Sequence, residues 1–327
     1  MSRLRLPPRA REAYQRLIKP LRLLWTMLLI ALVGGYLVRN WGTVTDLTSD
    51  MGITALVLVI LSVISAKVVY SEQARLAYHL VDGPPLGPGP FYRVYTISDM
   101  AKYVPGGVWG VAARVNSYLR FGLSGGDAAR GFGFEKGNLV VGAMFGGLIC
   151  TSLGLPGGLR GVLDSSIEAG WGWRTFEVAT VATLWIVATW VLGRSLLRTA
   201  FRPIHVFRVI GEHSAIVFLL GLGVWLPARA TGGELDLWLA VGAFNVGRAV
   251  GLVAVFAPAG LGVREAVGLW VIRGQDLDDI AVFAFGASRV LTTVAEAVTF
   301  AIVGLLVRSG SLKLPVGLSE SPSAARD

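Results

Sequence analysis

Charged side chains stand inside several apolar stretches of this sequence, and their chemistry is the most informative that the sequence offers. Arg248 lies midway along the apolar stretch 237–256. Arg289 and Glu296 lie two helical turns apart on one face of the stretch 280–307. A charge at the centre of a membrane helix costs about 2.5 to 3.5 kcal/mol on insertion scales. We therefore expect these groups to face an interior cavity, in which arginines can hold a phosphate through paired hydrogen bonds.

A proline and glycine turn, PAGLG, precedes a further charged pair in the second half of the chain. Its turn residues are Pro258, Gly260 and Gly262. The candidate substrate-contacting residues of this half are Asn245, Arg248, Arg264, Glu265, Arg289 and Glu296. The alternative is an internal network of Arg and Glu side chains that only fixes how the helices pack.

A similar turn, KYVPGGVWG, lies in the first half of the chain, with Pro105, Gly106 and Gly107 at its centre. The candidate site residues around it are Asp99, Arg114 and Glu135. Paired broken helices of this kind, one in each half, are typical of transporters built from inverted repeats. The sequence therefore allows an inverted repeat, although the spacing from proline to arginine differs between the two turns.

The elements that position these residues are apolar helices. The chain is 54% hydrophobic and 16% charged, against roughly 25% charged in a soluble domain. Several stretches reach the roughly 20 apolar residues that cross a hydrocarbon core. We expect an all-α, polytopic integral membrane helical bundle of about seven or eight spans, and the 42 glycines favour close helix packing. The predicted spans are 21–38, 51–70, 137–154, 175–193, 212–227, 237–256, 257–274 and 280–307. The two turns make 92–122 and 257–274 the expected broken or re-entrant elements.

Basic residues predict the topology of this bundle, because cytoplasmic flanks accumulate Lys and Arg. The proposed inner segments hold 21 of the 30 lysines and arginines, and the proposed outer loops hold 5. The other four, Lys67, Arg248, Arg264 and Arg289, lie in or near the apolar core. We expect a multi-pass protein of the cell membrane with both termini in the cytoplasm. Its domains are a basic amino-terminal segment (1–20), one transmembrane domain (21–307) and a disordered cytoplasmic tail (308–327).

The remaining composition argues against several other classes of protein. The basic residues lie at the ends of apolar stretches and not along one polar face, so we expect no nucleic-acid partner. The single Cys150 lies in an apolar segment, and the three histidines match no zinc-site spacing. We predict no metal and no cofactor, and the absence of a Walker motif argues against direct use of ATP.

The two turns also carry a resemblance to a known family. DMAKYVPGGVWGVAARV at 99–115, PAGLGVREA at 258–266, Glu135 and Arg289 are similar to the transmembrane region of lysylphosphatidylglycerol synthases and its stand-alone relatives. The resemblance covers roughly 15–307, with Ala259 standing where the family commonly has glycine. It implies a membrane region that moves phospholipids or lipid-linked precursors between leaflets, while a separate soluble domain performs aminoacyl transfer, and it allows a separate lipid-modifying enzyme as a partner. The resemblance implicates Asp99, Pro105, Gly106, Gly107, Arg114, Glu135, Pro258, Gly260, Gly262, Arg264, Glu265 and Arg289.

The sequence therefore predicts a flippase-like or scramblase-like transporter of a phospholipid or lipid-linked precursor, and no catalytic motif indicates an enzyme. Two alternatives remain. Asp276 and Asp278 form a DxD pair that could hold a metal and a sugar diphosphate in a membrane-embedded transferase. A scaffold for a lipid-modifying enzyme is the other alternative, and assembly into a homo-oligomer stays open.

Overall fold

A computed structural model describes Met27 and residues 41–100, 109–164, 166–254, 257, 260–273 and 278–312. Several predicted features lie outside the described residues: segment 1–20, the predicted span 21–38 apart from Met27, the tail from residue 313, Pro105, Gly106, Gly107, Pro258 and Asp276.

The described residues form an all-helical bundle. Its helices are α1 (Trp41–Asp50), α2 (Ile53–His79), α3 (Pro88–Met100), α4 (Trp109–Arg120), α5 (Gly125–Gly154), α6 (Trp171–Leu197), α7 (Pro203–Ala230), α8 (Leu237–Val253), α9 (Val263–Ile272) and α10 (Asp278–Arg308). Within the described ranges, five of them, α2, α5, α6, α7 and α10, are long and apolar enough to cross a membrane. This confirms the prediction of a helical membrane bundle at the level of architecture.

The long helices extend beyond the predicted spans, and α2, α5 and α7 do so by nine residues or more at one end. α2 continues past residue 70 to His79, and α5 begins at Gly125, well before residue 137. These extensions carry polar side chains, including Gln73 and Glu135, that are buried and hydrogen-bonded to neighbouring helices. The helices therefore continue where the hydropathy of the sequence falls, because protein replaces lipid around them.

The long helices alternate in direction. Gln73 of α2 hydrogen-bonds His213 of α7, whereas Val59, near the other end of α2, lies beside Gly223. α2 and α7 are therefore antiparallel. Side-chain contacts of the same kind show that α5 runs parallel to α7, whereas α8 and α10 run antiparallel to α7. The end of α2 and the starts of α5 and α7 share one face of the bundle, here called face A. The starts of α2, α8 and α10 share the opposite face, called face B.

α8 and α9 form a helical hairpin. Gly251 of α8 faces Gly260, and Gly247, one turn earlier, faces Arg264, so the two helices are antiparallel. Between them the backbone takes positive φ at Gly260 (+68°) and Gly262 (+78°), a conformation that glycine adopts without steric cost. α9 has 10 residues, about 15 Å of helix, whereas a hydrocarbon core is about 30 Å thick.

The close approach of α8 and α9 depends on Gly247. A Cβ atom at this position would clash with the carbonyl oxygen of Arg264. We expect Gly247→Ala to push α9 away and to lower stability by about 1 to 3 kcal/mol, the usual cost of overpacking. Thermal unfolding in detergent measures the loss. Gly286→Ala on α10, where an added Cβ meets nothing within 4 Å, is the matched control, and equal midpoints for the two variants would contradict the argument.

α3 and α4 form a second hairpin. The Tyr118 ring centroid lies 6.4 Å from that of Phe91, and Nε of Arg114 donates to Oγ of Ser98 at 2.6 Å. Tyr118, the later of the two α4 residues, thus contacts Phe91, the earlier of the two α3 residues, so these helices are also antiparallel. The residues that join them, 101–108, lie outside the described residues.

The two hairpins enter the bundle from opposite faces. The α3/α4 hairpin connects the end of α2 to the start of α5, so both of its outer ends lie at face A. The α8/α9 hairpin follows the end of α7 and leads into α10, so its outer ends lie at face B. The inner ends of both hairpins reach the middle of α2, where Lys67 contacts α3 and Tyr70 contacts α8.

Candidate functional site

Most of the buried charges of the described residues lie on the two hairpins and on the helices packed against them. We name three groups by their members. The arginine cluster is Arg248, Arg264, Arg289 and Glu265, the lysine triad is Lys67, Asp99 and Glu296, and the Arg114 pair is Arg114 with Glu135.

α9 begins with the side chains that form the centre of the arginine cluster. Oε2 of Glu265 accepts a hydrogen bond from the backbone N–H of Gly262 at 2.9 Å and so caps the first turn of α9. Its other oxygen, Oε1, accepts from Nε of Arg264 at 3.0 Å. The guanidinium of Arg264 lies 5.0 Å from the ring centroid of Phe244. The helix break therefore places a buried arginine, 7% exposed, between a carboxylate and an aromatic face.

Arg248 and Arg289 approach this arginine from two other helices. Gly247 and Gly251 of α8 pack against Arg264, and Gly268 of α9 packs against Phe285 of α10, so both arginines lie at the level of Arg264. Nη2 of Arg248 donates to the hydroxyl of Tyr70, and its Nη1 is buried without a hydrogen-bond acceptor. Nη2 of Arg264 lies 3.0 Å from Glu265 Oε1 but is also buried without a hydrogen bond. Clustering arginines in this way is costly unless an anion joins them.

The arginine cluster carries an excess of positive charge. Its three guanidinium groups face one carboxylate, Glu265, so its formal charge is +2. Within the described part of the chain, the side chain of Arg289 forms no hydrogen bond or ion pair. The arrangement can therefore accept an anion, and Arg289 is the arginine most available for it.

The lysine triad joins three helices. Nζ of Lys67 lies 2.7 Å from Oδ2 of Asp99 on α3 and 2.7 Å from Oε1 of Glu296 on α10. A small pocket beside the triad is lined by Lys67, Tyr95, Thr96, Asp99, Met100, Glu296 and Thr299. The triad therefore fixes the inner end of α3 against α2 and α10.

The Arg114 pair connects the α3/α4 hairpin to α5. Nη1 of Arg114 lies 2.9 Å from Oε2 of Glu135, and its Nη2 donates to the carbonyl of Tyr95 at 3.3 Å. The hydroxyl of Tyr118 donates to the same carboxylate oxygen at 3.3 Å, and Nζ of Lys136 lies 3.1 Å from the other oxygen. Arg114 is 2% and Glu135 3% exposed. Each charge of this pair is compensated, so the pair fixes helix packing.

The structure separates residues that the sequence placed in one cavity. Glu296 lies on the same helix as Arg289, roughly 10 Å farther along its axis, and its ion pair is with Lys67. Asn245 is fully buried and donates to the carbonyl oxygens of Val217 and Val241. It therefore connects α8 to α7, and within the described residues no hydrogen bond joins its side chain to the arginine cluster.

Sequence reasoning missed two residues of this site. The sequence indicates Lys67 only as a basic residue in the apolar core. A charge inside the apolar stretch 51–70 is nevertheless the same kind of signal that makes Arg248 a candidate. Tyr70, which accepts from Arg248, carries no sequence signal because a tyrosine in an apolar helix is unremarkable. Both lie on the buried side of α2, with Tyr70 5% exposed.

Among the described residues, no group of three or more His, Cys, Asp and Glu side chains is placed to hold a metal ion. Within the described part of the chain, the fold and the site define a helical membrane bundle whose interior holds the lysine triad, the Arg114 pair and a cluster of arginines with excess positive charge. No protein-family model and no curated protein matches the chain.

Proposed function

We propose that this protein translocates a phospholipid or lipid-linked precursor between membrane leaflets, with the phosphate of the headgroup held by the arginine cluster. The observation that carries the proposal is the formal charge of +2 of the arginine cluster, in which Nη1 of Arg248 and Nη2 of Arg264 are buried without a hydrogen bond. A phosphate supplies both the missing charge and the missing acceptors.

The two hairpins support a transport role. They enter from opposite faces, and each carries a buried arginine, Arg114 or Arg264. Transporters with broken helices bind substrates near the bilayer midplane at the broken ends of such helices. The resemblance to the transmembrane region of lysylphosphatidylglycerol synthases suggests the same activity.

Orientation follows from the positive-inside rule. Face A adjoins the segments 71–136 and 194–208, which are rich in Lys and Arg. We therefore assign face A to the cytoplasm and the open end of the α8/α9 hairpin to the outer leaflet of the cell membrane. A lipid from the outer leaflet would reach the arginine cluster along this hairpin.

Transport by the purified protein tests the proposal. We expect Arg289→Gln to slow the exchange of a fluorescent phosphatidylglycerol across liposome membranes by about tenfold to a hundredfold, the effect of losing one or two charged hydrogen bonds. Arg289 forms no side-chain pair in the described structure, so this substitution leaves the other contacts intact. Arg208→Gln removes an equal charge from the exposed side of α7, where Arg208 pairs with Glu212, and should exchange lipid at the wild-type rate.

The same preparation separates the alternatives. Equal rates for wild type and folded Arg289→Gln would rule out the proposed role of the cluster. Exchange that needs an added lipid-modifying enzyme would favour a scaffold. Turnover of a lipid-linked sugar by the purified chain would favour a transferase.

A further inference from the structure

The arginine cluster has more hydrogen-bond donors than its own acceptors can satisfy. Nε of Arg264 and Nη2 of Arg248 have acceptors, Glu265 and Tyr70. Nη1 of Arg248 is buried without an acceptor, and Nη2 of Arg264 is buried without a hydrogen bond, although it lies 3.0 Å from Glu265 Oε1. On α10, Arg289 adds a third guanidinium at the level of Arg264, because Gly268 of α9 packs against Phe285, one helical turn from each of them. Three separate helices, α8, α9 and α10, thus each contribute a guanidinium to one site.

Charge and acceptor number distinguish the phosphates that could fill this site. A phosphodiester carries one negative charge and two terminal oxygens, whereas a phosphomonoester carries up to two charges and three terminal oxygens. The monoester matches the excess of +2 and offers one terminal oxygen to each guanidinium. A diester leaves the cluster with a net positive charge in a buried environment, where an uncompensated charge is costly.

A zwitterionic or cationic headgroup meets a second obstacle. Its ammonium group would lie near the positive cluster and be repelled by it. The carboxylates of the lysine triad, Asp99 and Glu296, both lie 2.7 Å from Lys67, so an ammonium group that approached them would compete with this lysine. The site therefore favours an anion without an attached cation.

From these features we infer that the preferred substrate is a lipid whose headgroup ends in a dianionic phosphate, that is, a lipid phosphomonoester or diphosphate. The inference rests on the proposed function and specifies its substrate class. A lipid with an esterified, singly charged phosphate is then a weaker ligand of the same site.

Two lipids that differ by one methyl group test this inference. Dioleoyl phosphatidic acid and dioleoyl phosphatidylmethanol have the same acyl chains, but only the first can carry a second charge, which is formed at pH 8 because the second pKa of such a phosphate is about 6. We expect the full-length protein in detergent to bind phosphatidic acid at least about tenfold more tightly, since a second charge a few ångströms from a guanidinium is worth more than this factor. Arg289→Gln should reduce this preference towards unity, and Arg208→Gln should leave it unchanged. Inorganic phosphate at the same concentration serves as the non-lipid ligand.

The outcomes separate the inference from the proposed function. Equal affinities for the two lipids, both weakened by Arg289→Gln, would overturn the inference and leave lipid translocation standing. Affinities that Arg289→Gln leaves unchanged would overturn both the inference and the proposed function. Inorganic phosphate that competes as well as phosphatidic acid would overturn the assignment to a lipid, because the acyl chains would then contribute nothing.

Discussion

Glu135→Gln is expected to destabilise the protein by about 3 to 5 kcal/mol, the cost of leaving a buried charge without its partner. The substitution preserves the shape of the side chain and removes only its charge. Arg114 would then remain buried, 2% exposed, with neutral acceptors at Ser98 and Tyr95. Unfolding in mixed detergent micelles, followed by circular dichroism, gives the change in free energy.

The control for this variant is a pair that water reaches. Glu72 and Arg75 form an ion pair on α2 with side chains 28% and 25% exposed, so Glu72→Gln should cost at most about 1 kcal/mol. Replacing both Arg114 and Glu135 by leucine should cost less than Glu135→Gln alone, because no charge is then stranded. Similar losses for Glu72→Gln and Glu135→Gln would refute a buried, coupled pair.

Lys67→Met is expected to destabilise the bundle by a similar amount, about 3 to 5 kcal/mol. Both carboxylates of the lysine triad lie 2.7 Å from the same ammonium nitrogen, so its loss leaves two like charges close together in the interior. The inner end of α3 should separate from α10. Faster hydrogen exchange in α3, measured by mass spectrometry, would report this separation.

Removing the carboxylate charges should reverse that effect. Adding Asp99→Asn and Glu296→Gln to Lys67→Met eliminates the repulsion, and we expect the triple variant to recover most of the lost stability. Arg75→Met is the matched single control, because Arg75 and its partner Glu72 are 25% and 28% exposed at their side chains and its removal should cost at most about 1 kcal/mol. A triple variant no more stable than Lys67→Met would show that repulsion is not the cause.

Much of the helical framework could be predicted from the sequence. The lengths of the apolar stretches predict the central parts of the long helices, because about 20 consecutive apolar residues are enough to cross a hydrocarbon core. The break between α8 and α9 was also predictable, since Gly260 and Gly262 supply the positive φ angles of the turn. The pairing of Arg264 with Glu265 is between neighbours in sequence, and the cap that Glu265 forms on α9 spans three residues.

The sequence by itself determined which residues are costly to bury, because the free energy of inserting a charge depends on the side chain and its local stretch. Only the tertiary structure decided which charge compensates which. Lys67 finds Asp99 on α3 and Glu296 on α10, and Arg114 finds Glu135 on α5, whereas Arg289 finds no partner among the described residues. These pairings depend on how distant helices are placed beside one another, and hydropathy carries no information about this placement. The excess positive charge of the arginine cluster is what remains after such long-range pairing.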